Sequence, residues 1–360
     1  MNGPVILNSV RQQLADEIFA YREPPPAPLK ISHWLAMSLL QKAIRRGEGE
    51  LAQQAAATLL LIAPDRLWRR CGAAAFEEVG VADLQTVSLV TAALAGKRYR
   101  ATIGGEWKAA SYIVDRMVKA PKCRAADDLL LTADSHPRYQ RARAELAAKT
   151  TSELIHIATG DAALPVRGLA TWYAVGTHPR QTKHLNARAG EPTGLFDGLC
   201  EAGLPHTVVE IAREGFRKIG EPLCSFVALL CPIAMTEAST LQDDEMPPAT
   251  MVGEVPGWAC DVYTREGRQA LQALLQRDCK TARWVKGHVP AGQRVNFLGT
   301  VVFRVEGGLV RQRARWPTGD ELRRLVDIEC NGPSCSDGTE ILQLMRNDIG
   351  LLNAERSNVG

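Results

Sequence analysis

No stretch of this chain stays apolar long enough to cross a bilayer. The longest candidate, LCSFVALLCPIAM, is short and interrupted by Pro232, whereas a spanning helix needs roughly 20 apolar residues. It reads as a buried helix. The amino-terminal stretch MNGPVILNSVRQQLADEIF is polar and mixed in charge, unlike a secretory leader. Nine cysteines, an odd number with no pairing rhythm, suit a reducing compartment, so a cytoplasmic location is expected. A formal net charge of +3 is too small to demand a polyanionic partner by itself, so any nucleic-acid surface must come from local clustering.

The common chemical signatures are missing as well. There is no G-x-x-x-x-G-K-[ST] phosphate loop and no G-x-G-x-x-G after a strand. Gly104-Gly105-Glu106 lacks the lysine and hydroxyl a triphosphate site uses. Neither H-E-x-x-H nor G-x-S-x-G occurs. His178 and His184 match no metal-ligand spacing. The CNGPSC pair, Cys330 and Cys335, has no second pair to complete four ligands. Cys200 and His206 make a conceivable nucleophile and base, but no orienting third group stands at a recognisable spacing. Asp243-Asp244-Glu245 falls in a proline-rich stretch rather than on the rigid elements two-metal chemistry uses. These absences count against the commonest nucleotide, dinucleotide and zinc-hydrolase activities. No catalytic residue, cofactor or metal ligand is assigned.

What is present is an ordinary globular composition, 46% hydrophobic and 23% charged over 360 residues, enough for two or three domains. Val10, Leu14, Ile18 and Tyr21 predict one amphipathic helix over residues 1–23. EPPPAPLK then forbids helix and favours an extended linker, placing a boundary near residue 30. From Ser38 to Asp83 the spacing predicts three short helices. Leu39, Leu40, Ala43 and Ile44 face inward on the first, with Gln41, Lys42, Arg45 and Arg46 outward. Gly47 and Gly49 break it, Asp65 caps the third, Gly80 ends that helix, and Asp83 caps a fourth.

The run SLLQKAIRRG, then LWRR, then FEEVGVAD resembles the helical region that follows the ATPase module in clamp-loader-like AAA+ proteins of the MgsA/RarA type. Lys42, Ile44, Arg45, Arg69, Arg70, Glu77, Glu78, Gly80, Ala82 and Asp83 stand at similar spacings. APKCRAADDLL matches a further stretch of that region at Ala120, Pro121, Lys122 and Ala125. The likeness covers roughly residues 32 to 132, and no ATPase module precedes it here. It implies a helical collar that assembles with itself, or with an ATPase supplied by another chain.

Between residues 96 and 124 basic groups are concentrated: Lys97, Arg98, Arg100, Lys108, Arg116, Lys119, Lys122 and Arg124, opposed in sequence only by Glu106 and Asp115, with Tyr99, Trp107 and Tyr112 among them. Cations that neutralise phosphates beside stacking aromatic faces make up a single-strand-binding composition; a solvated helix face with core aromatics has the same look. Residues 240 to 257 read as a second linker, and Thr264 as the cap of a following helix. Val301 to Val305 and Leu309 to Arg315 read as a β-hairpin about Glu306-Gly307-Gly308. Its second arm would project Arg311, Arg313 and Arg315 from one face, either to grip a backbone or to protect an edge. Thr318 and Glu321 suggest a capping box, and a last helix closes the chain.

The expectation is therefore a mainly α protein, with helical bundles and a small C-terminal β-hairpin module. Its domains are expected at 1–30, 31–134, 135–250 and 251–360. The leading functional expectation is a non-enzymatic DNA-associated assembly or adaptor protein of replication or repair. Lys97, Arg98, Arg100, Lys108, Lys122 and Arg124 would contact phosphate, with Arg311, Arg313 and Arg315 in second place. Possible partners are single-stranded or gapped DNA, a second copy, or a separate AAA+ ATPase, and no membrane. A protein-interaction scaffold without nucleic acid, and an enzyme whose site is assembled from distant residues, are the alternatives.

Overall fold

The computed structural model describes residues 3–326 and 338–359. Cys330 and Cys335 lie outside them. Among the described residues the protein is mainly α, with two antiparallel two-stranded sheets of two or three residues per strand. No described helix is long and apolar enough to cross a membrane. The chain divides into two compact units, each drawn from three separate stretches.

The first unit holds residues 3–23, 68–242 and 312–326. Its amino-terminal helix, Gly3–Ala20, buries Ile6, Leu14 and Ile18. The apolar run in question forms the helix Leu223–Thr236, buried from Leu223 through Cys231. Trp172 meets Phe226 edge-on at 6.1 Å, and Phe196 lies 6.2 Å from Phe216. Burying rings of this size supplies much of a core's hydrophobic stabilisation. His178 and His184 are exposed, in loop-rich chain between Gly176 and Gly190.

The second unit holds residues 24–67, 243–311 and 338–359. Helix His33–Arg46 starts on Ser32, which accepts the Leu35 N–H, and ends at Gly47 in the left-handed region at φ 71°. It packs on Gly49–Ile62. A separate core gathers Leu271, Leu274, Val285, Leu298, Val301, Val302, Ile341 and Leu352. Thr264 caps Arg265–Gln276 through the Gly267 N–H, as its position suggests.

Three local readings are corrected. The expected hairpin at 301–315 is helix: Arg294–Val302 runs into a π-helical turn at Phe303–Gly307. Its buried residues Leu298, Val301, Val302 and Val305 recur at i, i+3, i+4 and i+7, and this helical period overrides the β propensity of valine. The only strand there, Arg313–Arg315, pairs with Thr240–Gln242, in the stretch read as a linker, with Leu241 opposite Ala314. Gln312 has φ 52°, so the alternation of faces does not carry from Arg311 to Arg313 and Arg315. Second, Asp65 sits inside Pro64–Ala74 rather than capping it; Pro64 opens the helix, where its missing N–H costs nothing. Third, Thr318 makes no capping box. Trp316 occupies the cap position of Pro317–Leu325, while Thr318 donates its N–H and hydroxyl to Glu237 at 2.8 and 2.7 Å.

Candidate functional site

The two motif stretches FEEVGVAD and APKCRAADD, some forty residues apart in sequence, meet inside the first unit. Ala75–Val79 forms a wide π-helical turn that ends at Gly80. Gly80 has φ 52°, and a β-carbon there would stand 2.6 Å from the Cys123 carbonyl oxygen, so only glycine fits. The Cys123 N–H donates to the Glu78 carbonyl at 2.8 Å. Arg124, 5% exposed, then donates to both carboxylate oxygens of the fully buried Glu78 at 2.6 Å, to Glu77 at 3.2 Å, and to Asp127. Burial works against the Arg124 charge, but Glu78, Asp127 and Glu77 outweigh it and hold the guanidinium well above its ordinary range. Asp83 caps the next helix through the Thr86 N–H and hydroxyl at 3.0 and 2.6 Å, as read from sequence.

Burial pushes the neighbouring Asp128 up to about 7, against the pull of the Arg323, Arg124 and Arg313 charges and reinforced by Asp127. Lys122, 1% exposed, donates to the Val118 carbonyl at 3.0 Å and to the Ala120 carbonyl. Burial draws it down to about 8. Its backbone also bridges to the Arg313 strand: its N–H donates to the Gln312 carbonyl at 2.9 Å, and its carbonyl accepts the Ala314 N–H at 2.8 Å.

The remaining basic candidates divide sharply. Lys97 and Arg98 are exposed on the short helix Lys97–Thr102. Arg100, two residues on, is buried: it lies 3.8 Å over the Trp68 ring and donates to the Ala93 carbonyl at 2.9 Å and to Glu106 at 2.7 Å. Lys108 pairs with Glu23 at 3.6 Å. Arg315 pairs with Asp320 at 2.6 Å. Arg313 is half-buried, near enough to Asp128 to act on its charge. Arg311 belongs to the second unit and faces Asp243 at 3.7 Å. The aromatics are occupied internally: Tyr99 donates to the Arg11 carbonyl at 2.7 Å, and Tyr112 donates to Glu17 and meets Tyr21 edge-on at 5.3 Å. Counting charges along the chain misses these partners because Glu77 and Glu78 stand more than forty residues before Arg124.

In the second unit Lys42, Arg45 and Arg46, expected to face outward, are 4%, 2% and 2% exposed. Lys42 reaches Ser38 and Asp261, each at 2.5 Å. Burial lowers the Lys42 ammonium; burial also acts to raise Asp261, but Lys42 overcomes it and holds the carboxyl below its ordinary value. Arg45 donates to the Gly307 carbonyl at 2.5 Å and lies over Phe303. Arg46 donates to the Glu306 carbonyl at 3.1 Å and lies 5.0 Å over Trp258. Arg356 takes the Glu306 carboxylate, at 3.1 Å to each oxygen. Nothing but the turn at Phe303–Gly307, which presents its carbonyls to these cations, could have signalled this, and the sequence conceals it as a hairpin.

Comparison with family models, curated proteins and solved structures finds no match. The likeness to the clamp-loader-type collar therefore rests on the motifs quoted above.

Proposed function

We propose that the chain is a non-enzymatic helical assembly protein, a clamp-loader-like collar without a motor, whose working contacts are with protein. The observation that supports this reading is the use made of the motif residues. Glu77, Glu78, Gly80, Lys122 and Arg124 are spent on joining one turn to one helix, and Lys42 and Arg45 on closing another bundle. Residues that build an internal frame leave recognition to what the frame displays. In the second unit that includes Trp34, Leu61 and Ile62, which are 54%, 70% and 50% exposed, with Arg66 stacked over Trp34 at 4.6 Å. Exposed aromatic and aliphatic side chains of this kind mark contact surfaces.

Light scattering on the purified chain tests the proposal: self-association weakened at least tenfold by Leu61→Glu supports it, and a monomer at every concentration that also fails to bind a AAA+ ATPase of the MgsA/RarA type overturns it. DNA contact is the second reading, favoured by the exposure of Lys97 and Arg98. It requires salt-dependent binding of single strands whose log–log slope falls by about 1.4 in the Lys97→Ala/Arg98→Ala double variant, at roughly 0.7 per phosphate contact.

A further inference from the structure

In the first unit the helix Pro192–Glu201 turns back through residues 202–205 into His206–Ile219. Gly203, at φ 85°, makes the reversal. Cys200 lies in the last turn of the first helix. His206 and Glu210 are four residues apart on the second and so share a face. The Cys200 Sγ, a His206 ring nitrogen and a Glu210 carboxylate oxygen all fall within 4.8 Å of one another. Among the described residues Cys200 is the only free thiol that is not buried; Cys71, Cys123, Cys224, Cys231, Cys260 and Cys279 all are. His206 is exposed, while Glu210 is 9% exposed and held at its place. The lack of a side chain at Gly3 leaves room for that carboxylate, which a β-carbon would overlap.

We propose that Cys200, His206 and Glu210 form a binding site for a divalent transition-metal ion, with Zn2+ the best match, which clips this helix pair together. The donor set decides the class: a thiolate and an imidazole select zinc-like ions over magnesium or calcium, which take oxygen ligands. Bonds of about 2.0–2.3 Å in a tetrahedron place ligand atoms roughly 3.3–3.7 Å apart. The three groups therefore need to close by about 1 Å, within the reach of side-chain rotation. Three protein ligands leave a fourth position for water or for Asp197, one turn before Cys200. At present Arg213 occupies this neighbourhood, donating to Asp197 at 2.7 Å and pairing with Glu210 at 3.2 Å. A doubly charged ion competes with that single charge for Glu210, so Arg213 sets the affinity. This inference is independent of the assembly reading above.

The test uses the full chain, reduced and stripped of metal by a chelator, titrated with Co2+ and then displaced by Zn2+. One equivalent of Co2+ with a near-ultraviolet thiolate-to-cobalt charge-transfer band is expected. Cys200→Ser removes the band; His206→Gln and Glu210→Gln each weaken binding at least tenfold; Arg213→Gln tightens it. The Cys330→Ser/Cys335→Ser double variant leaves it unchanged. Far-ultraviolet circular dichroism confirms that each variant is folded. Absence of the band in the wild-type chain, its survival in Cys200→Ser, or its loss with Cys330 and Cys335 overturns the proposal.

Discussion

The two units bury cationic side chains by different means. In the first, Arg124 is surrounded by carboxylates: Glu78, Glu77 and Asp127 all accept from it. In the second, Arg45 and Arg46 are met by main-chain carbonyls and aromatic faces, and among the described residues Arg46 makes no ion pair. Carboxylate partners strengthen the interaction but create a mutual dependence, since removing either member strands a charge in a poorly solvated place. Carbonyl oxygens and ring faces are weaker partners that lose little when the cation is replaced. The first arrangement fixes one geometry; the second fills a space.

The largest effect expected from this contrast is that of Glu78→Ala. It leaves Arg124 with Glu77 and Asp127 only, and should destabilise the first unit by about 3 kcal/mol, read as a shift in the urea midpoint at constant slope. A Glu78→Ala protein as stable as the parent would erase the distinction. Next comes Asp128. Its carboxyl titrates near 7 when folded, against an ordinary 3.8, so the folded state holds the extra proton between these values. Stability should then fall as pH rises from about 4 to about 7, with a limiting slope of about 1.4 kcal/mol per pH unit from this group. Asp128→Asn should remove that component from the pH profile. The smallest effect is expected for Arg46→Met, which keeps the length and apolar contact over Trp258 and strands no carboxylate: a change within about 1 kcal/mol in either direction. A loss as large as that of Glu78→Ala would show that the second unit depends on its charges as the first does.

Much of the helical layout was legible from spacing and caps. Gly47, Gly80, Asp83 and Thr264 each end or start an element as their chemistry suggests. Two kinds of feature were not. The first is a β-rich composition laid on a helical period, as at Leu298 to Val305, where burial rather than propensity decides. The second is charge whose partner is remote or is backbone. Lys42, Arg45 and Arg46 look like a solvated face because periodicity carries no record of the Gly307 and Glu306 carbonyls that receive them. For the same reason the basic stretch from Lys97 to Arg124 looked continuous, although the structure sets exposed Lys97 and Arg98 beside buried Arg100. The Cys200, His206 and Glu210 grouping was half visible as a thiol and an imidazole; the missing carboxylate was on the same helix as His206.

The π-helical turn at Ala75–Val79 has a consequence for how this segment tolerates change in length. A π turn holds one more residue than the α turn it replaces. Deleting a single residue from it would restore regular α geometry, yet rotate everything beyond by about 100°. Glu78 and Gly80 would then swing out of phase with Cys123 and Arg124. The segment acts as a spacer of fixed count, open to side-chain exchange at its margins but closed to insertions and deletions.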